Sequence, residues 1–138
     1  MSELVIRKAV ESDTTFIMDS WMRSYRKSPD CNLPDDLFFP AYRAVATLLL
    51  RTCTVECIVT PDNTDAILGY IVYQPGVVHW VYIKRDYREN GLAFLLVKRA
   101  QTESGIVMTM TTPLGRKRLR YPVKAKVLRS LMNSELRK

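Results

Sequence analysis

The residues whose types and spacing point to chemistry lie between Val77 and Val97. A β-branched run, Val77 to Ile83, leads into Lys84-Arg85-Asp86-Tyr87 and then Arg88-Glu89-Asn90-Gly91-Leu92-Ala93, which opens a helical pattern. The first turn of a helix has backbone N–H groups without intrahelical partners and a partial positive charge. A phosphate or diphosphate can sit there. Small residues at Gly91 and Ala93 allow close approach to the backbone, and Arg88 adds a cation. The competing reading is an ordinary helix start with Gly91 as a turn residue, since one glycine and one alanine form a short pattern. Other chemistries find fewer residues. The chain has one histidine, His79, and three cysteines, Cys31, Cys53 and Cys57, which do not cluster as a zinc site would. A Ser/His/Asp triad would have to run through His79, and no nucleophile-elbow glycine pattern is present.

The elements that must position these residues fit in one domain of 138 residues. Apolar residues make up 47% and charged residues 25%, as in ordinary globular proteins. No stretch approaches the roughly 18 apolar residues that would cross a membrane. The start, Met1 to Lys8, has no basic lead before an apolar core, and with an odd cysteine count this leads us to expect a cytoplasmic protein with reduced thiols. Hydrophobic spacing predicts a strand over Leu4–Ala9, a helix capped by Asp13 through Tyr25, and a second helix from Asp35 or Asp36 to about Arg51, interrupted by Pro40. Strands are expected over Thr54–Thr60, Ala66–Tyr73 and Val77–Ile83, with short turns that imply an antiparallel meander. A helix from Leu92 to about Thr102, with Leu92, Leu95, Leu96 and Ala100 inward, and a strand over Ile106–Thr111 follow. Val123 to Leu136 reads as an amphipathic basic helix. The net charge of +7 is concentrated in the last 26 residues: residues 113–138 hold nine basic side chains and one acid, leaving the other 112 residues at −1. Such a segment suits an anionic partner, or is a solvated face.

Arg88-x-x-Gly91-x-Ala93 resembles the Q/R-x-x-G-x-G/A motif of the GNAT acyl-CoA N-acyltransferase superfamily. Ile83 to Ala93 looks like that family's strand-loop-helix signature, and Val5-Ile6-Arg7-Lys8-Ala9 before Glu11-Ser12-Asp13 is similar to its first strand and helix start. The likeness covers residues 4 to about 111 and marks a short or divergent member. It implies an α+β fold with a mostly antiparallel sheet flanked by helices. It implies a coenzyme A-binding domain over residues 1–112, with an atypical basic segment over 113–138. The strand edge from Val81 to Ile83 would pair with the pantetheine arm. The loop and helix start, Arg88, Glu89, Asn90, Gly91, Leu92 and Ala93, would bind the diphosphate. The family's base is often a carboxylate near Val77, where this chain has none. His79, on the same strand face by alternation, and Glu56, on the neighbouring strand, are then the candidate bases. Tyr82 and Tyr121 are candidate acids for the leaving thiolate.

The resemblance implies transfer of an acetyl group from acetyl-CoA to a primary amine by direct attack on the thioester, without a metal. Residues 112–138 depart from the family's closing helix and strands. That favours, as an alternative, a GNAT-like interaction or structural protein that has lost its chemistry and whose basic helix binds an acidic protein or nucleic acid. A nucleic-acid-binding protein acting through that tail is a third reading. The meander edge and the basic helix offer surfaces for a homodimer.

Overall fold

The computed structural model describes residues 4–27, 34–110, 119, 121 and 122. Residues 28–33, between the first two expected helices, the end of the last strand at Thr111, and the basic helix over Val123–Leu136 lie outside the described residues.

Among the described residues, five strands form one sheet in chain order: β1 (Val5–Lys8), β2 (Thr54–Val59), β3 (Gly69–Gln74), β4 (Val77–Ile83) and β5 (Val107–Met108). The first four are antiparallel neighbours, as short turns between β-branched runs dictate; β5 is parallel to β4. The β3–β4 turn is Pro75-Gly76, where Gly76 takes the left-handed conformation at φ +80°. β3 begins three residues later than Ala66. The preceding turn draws Ala66 in through its N–H to the Asn63 carbonyl (3.2 Å), while Ile67 and Leu68 are buried without entering β3.

Two helices, α1 (Thr14–Tyr25) and α2 (Asp35–Thr52), cover one face of the sheet, and α3 (Leu92–Val97) covers the other. Asp13 does not cap α1 with its side chain. It turns back to accept the Val10 N–H (2.8 Å) and pairs with Arg7 through two bonds of 2.7 and 3.0 Å, tying β1 to the helix start. Pro40 does not interrupt α2, which runs on through it. Only one intrahelical donor is lost, and both Pro40 and Asp36, whose carbonyl would have accepted it, are exposed to water.

α3 is shorter than expected and rotated. It ends at Val97 and tightens into a 3-10 turn over Lys98–Ala100. Leu96, Val97 and Ala100 are buried, whereas Phe94 and Leu95 are each 43% exposed. The tightened turn puts Val97 and Ala100 on one side, three residues apart.

The α1/α2 side of the sheet is aromatic. Trp80 stacks on Trp21 (centroids 6.1 Å apart, planes 7° apart) and meets Tyr25 edge-on at 6.0 Å. The Tyr70 hydroxyl accepts from Trp80 Nε1 (3.2 Å), donates to the Ile17 carbonyl (3.0 Å) and bonds Ser20 Oγ (2.7 Å).

At Gly69, β4 leaves no room for a side chain on β3. A Cβ there would stand 2.5 Å from Ile83 Cδ1 and 2.7 Å from the Tyr82 carbonyl oxygen. Gly69→Ala should therefore lower stability by about 1–3 kcal/mol, read as a fall in the urea midpoint, because backbone cannot yield as a flexible side chain can. An unchanged midpoint would mean that β3 and β4 are farther apart here.

No helix among the described residues is long and apolar enough to cross a membrane.

Candidate functional site

The candidate site is built on the edge of β4 that β5 leaves open. β5 pairs only with the start of β4, Val77 with Val107 and Val78 with Met108. Thr109 N–H then bonds the Val78 carbonyl (3.0 Å), and the Met108 N–H turns outward to the Pro122 carbonyl (2.8 Å). Beyond that point the described residues of the two strands no longer pair.

The ladder to β3 determines which β4 groups face the opening. Lys84 N–H bonds the Leu68 carbonyl (2.8 Å), so the alternation of an antiparallel ladder turns the N–H and C=O of Ile83 and Val81 away from β3. Arg88 folds back onto this edge: its Nε donates to the Ile83 carbonyl (2.8 Å), and its guanidinium lies 5.8 Å from the Tyr82 ring centroid.

The loop from β4 to α3 begins with a 3-10 turn over Arg85–Tyr87. Glu89 (φ +72°) and Gly91 (φ +76°) are both left-handed, and Gly91 starts α3 by accepting the Leu95 N–H (3.1 Å). A Cβ on Gly91 would have no heavy atom within 4 Å, so the loop is open to solvent there. The N–H groups of Leu92, Ala93 and Phe94 have no acceptor within the helix. Arg88, Glu89 and Asn90 are exposed, and Leu92 and Ala93 are half-buried against the α3 side of the sheet.

His79 sits at a register shift. Trp80 pairs with Val72 but Val78 with Tyr73, so His79 is an extra residue with no partner on β3. The bulge breaks the alternation that would put Val77 and His79 on one face: Val78 packs on the α3 side and Trp80 on the α1/α2 side, although they are two residues apart. His79 is buried, with Nδ1 2.8 Å from Thr109 Oγ1, and burial pushes its pKa down to about 4.

Glu56 lies two strands from β4 and is engaged elsewhere. It accepts two bonds from Arg99, of 2.6 and 2.8 Å, and one from the Tyr73 hydroxyl. Arg99 beside it holds the carboxyl below the usual carboxylate range. The pair ties the turn after α3 to the middle of the sheet. Glu56→Gln should reduce stability at pH 7 by about 1–3 kcal/mol, as a charged bond to Arg99 is lost. A carboxyl with a depressed folded pKa stabilises above its unfolded value near 4.5 and ceases to do so as the pH falls through the folded value. The gap between wild type and variant should therefore close below pH 4.5 in denaturation curves, and a gap constant with pH would contradict the ion pair.

Tyr82 is half-buried on the α1/α2 side, stacked on Tyr70 at 5.4 Å and edge-on to Phe16 at 6.1 Å. Tyr121 packs on the α3 side. The structure thus aligns His79, Val81, Ile83, Arg88 and the Gly91 loop along one edge, with Glu56 apart from them. Thr109 escapes sequence reasoning, and its one signal is a hydroxyl flanked by Met108 and Met110 in a mostly apolar strand. Arg99 carries no signal, being 43 residues from Glu56.

Cys57 is buried, its thiol pushed up to about 12, and Cys53 is half-buried. No group of three or more His, Cys, Asp or Glu able to hold a metal occurs among the described residues. A cavity of about 450 Å³ at the other end of the sheet, lined by Lys8, Val10, Thr14, Leu50 and Cys53 among others, includes none of the candidate residues.

No protein-family model matches the chain, and no curated protein matches it. Solved structures do. Apo-form YjaB from Escherichia coli is 18% identical with a TM-score of 0.53, over 71% of this chain and 64% of its own length. A GNAT family acetyltransferase from Brucella melitensis, in complex with acetyl-CoA, is 14% identical with a TM-score of 0.51, over 85% of this chain and 82% of its own. A predicted acetyltransferase with acetyl-CoA from Clostridium acetobutylicum is 17% identical with a TM-score of 0.50, over 83% and 85%. The chain thus spans less than two thirds of the Escherichia coli protein. At these identities the likeness is one of fold: a mostly antiparallel sheet, parallel only where β4 and β5 meet and part, makes this chain a divergent example of the GNAT fold.

Proposed function

We propose that the chain is an acyl-CoA-dependent N-acyltransferase that moves an acetyl group from acetyl-CoA to a primary amine. The observation that carries this reading is the open β4 edge, where Val81 and Ile83 turn their backbone groups away from β3, the Ile83 carbonyl held by Arg88, beside a parallel strand that has turned away. In the proposed complex these groups pair with the amides of the pantetheine arm. Arg88 and the N–H groups of Glu89 to Ala93 receive the diphosphate, and Arg88 releases the Ile83 carbonyl to do so. Two of the solved structures of this fold are described with acetyl-CoA, which supports the same ligand here.

The acceptor amine attacks the thioester where β4 and β5 part. Its nitrogen forms the new C–N bond, the C–S bond breaks, and coenzyme A leaves as the thiolate. Glu56, committed to Arg99, is a poor choice of base. The proton leaves through water, and Tyr82 or Tyr121 remains the candidate to protonate the thiolate. Residues 1–112 form the binding domain in this reading, and the +8 segment over 113–138 recruits an acidic protein or nucleic acid. The buried Cys57 thiol fits a cytoplasmic setting.

One observation favours a second reading. With Val77 in place of an acid and Glu56 engaged, the edge lacks a carboxylate base, as in a GNAT-like interaction protein that binds coenzyme A without turning it over. Thiol release from acetyl-CoA, measured against small amines and lysine-bearing peptides, separates the two. Release above the uncatalysed rate supports the transferase; saturable acetyl-CoA binding without release supports the interaction protein.

A further inference from the structure

His79 and Thr109 are the residues that follow the last paired couple, Val78 and Met108, on the two parallel strands. Their bond, Nδ1 to Oγ1 at 2.8 Å, bridges the strands where they part. The ring is 1% exposed, and its second nitrogen, Nε2, has no hydrogen-bond partner among the described residues. A buried polar atom without a partner is costly, so one kept beside the point where the two strands part calls for a group that meets it there.

The acyl-CoA reading, on which this inference rests, supplies that group. A pantetheine arm along Val81 and Ile83 leads toward that point, since His79 is four residues from Ile83, about 13 Å of strand. What arrives is a thioester, whose carbonyl oxygen can only accept a hydrogen bond. The Thr109 hydroxyl can donate to Nδ1, which leaves the proton on Nε2. We propose that His79, held by Thr109, donates a hydrogen bond from Nε2 to the carbonyl oxygen of the bound acyl thioester and polarises it. As the amine nitrogen forms its bond to the carbonyl carbon, the C=O π pair moves onto the oxygen facing Nε2. It returns as the C–S bond breaks. Sulfur leaves with the bonding pair and is protonated by the tyrosine acid, which recovers through water the proton that nitrogen loses. His79 keeps its own proton throughout, in accord with the burial that holds the ring neutral.

Free coenzyme A lacks the acyl carbonyl, so comparing the two ligands isolates this contact. Calorimetric affinities for acetyl-CoA and for coenzyme A should be measured on the full chain as wild type, His79→Leu, His79→Gln and Thr109→Val. His79→Leu should lower the ratio of acetyl-CoA to coenzyme A affinity about tenfold while leaving coenzyme A binding unchanged. His79→Gln, whose amide can donate, should keep most of the ratio, and Thr109→Val should lose part of it. The infrared carbonyl stretch of bound acetyl-CoA should fall below its free value on wild type and return toward it in His79→Leu. A structural role alone would not move that stretch. An unchanged ratio with reduced turnover would overturn the donor role. An unshifted stretch on wild type overturns it even if His79→Leu does not fold. Binding of neither ligand by folded wild type would overturn the acyl-CoA reading as well.

Discussion

Gly91→Asp should abolish acetyl-CoA binding in a chain that stays folded. Gly91 is left-handed at φ +76°, exposed, and free of neighbours around a would-be Cβ, so a side chain there meets solvent rather than core. The conformational penalty is about 1–2 kcal/mol, small against the stability of a domain. The carboxylate, by contrast, would stand where the proposed diphosphate sits. At about 5 Å and an effective dielectric near 20, one pair of like charges repels by roughly 3 kcal/mol, or more than 100-fold in affinity. Gly91→Asn is the control, since asparagine has the same shape, no charge and tolerance of the left-handed region. It should weaken binding far less. Equal affinities for the aspartate and asparagine variants, measured by calorimetry, would remove the diphosphate from this loop.

Trp80→Ala should cost about 3–5 kcal/mol of stability. Trp80 is fully buried, stacked on Trp21, edge-on to Tyr25, and its Nε1 donates to the Tyr70 hydroxyl. Truncation opens a cavity between α1 and the sheet and leaves Tyr70 one donor short. Because Trp80 follows His79 at the register shift, the loss should also loosen the point where β4 and β5 part. Trp80→Phe, which retains a ring but no N–H, should fall between the two. Urea unfolding followed by circular dichroism gives the order. A loss below about 1 kcal/mol for Trp80→Ala would mean that the aromatic stack is not what fixes β4.

The order of elements was legible because it depends on period. The β-branched runs of β2 and β4 and the helical spacing of α1 each carry their own signal. The position of Gly91 at the start of α3 followed from the same local reasoning. What sequence could not supply is tertiary. The bulge at His79 depends on the register between β3 and β4, which no local pattern encodes, and it breaks the alternation on which the expected face of that residue rests. Leu95 reads as inward by spacing, but α3 packs on the sheet through Leu96 and Val97 and leaves Leu95 outward. Pro40 reads as a break, yet one missing hydrogen bond at a wet helix surface is tolerated. Glu56 presents itself as a free carboxylate until the fold brings Arg99 to it. The pairing of His79 with Thr109 is of the same kind, since it exists only because β5 runs parallel to β4 for two residues and then leaves.

The central claim is that the open edge of β4 holds acyl-CoA. Its most direct test is calorimetric titration of the purified chain with acetyl-CoA at low and moderate salt. We predict saturable binding in the micromolar range, weaker at the higher salt because the diphosphate contacts are ionic. A folded chain that gives no binding heat and no displacement by coenzyme A at either salt concentration would contradict the claim.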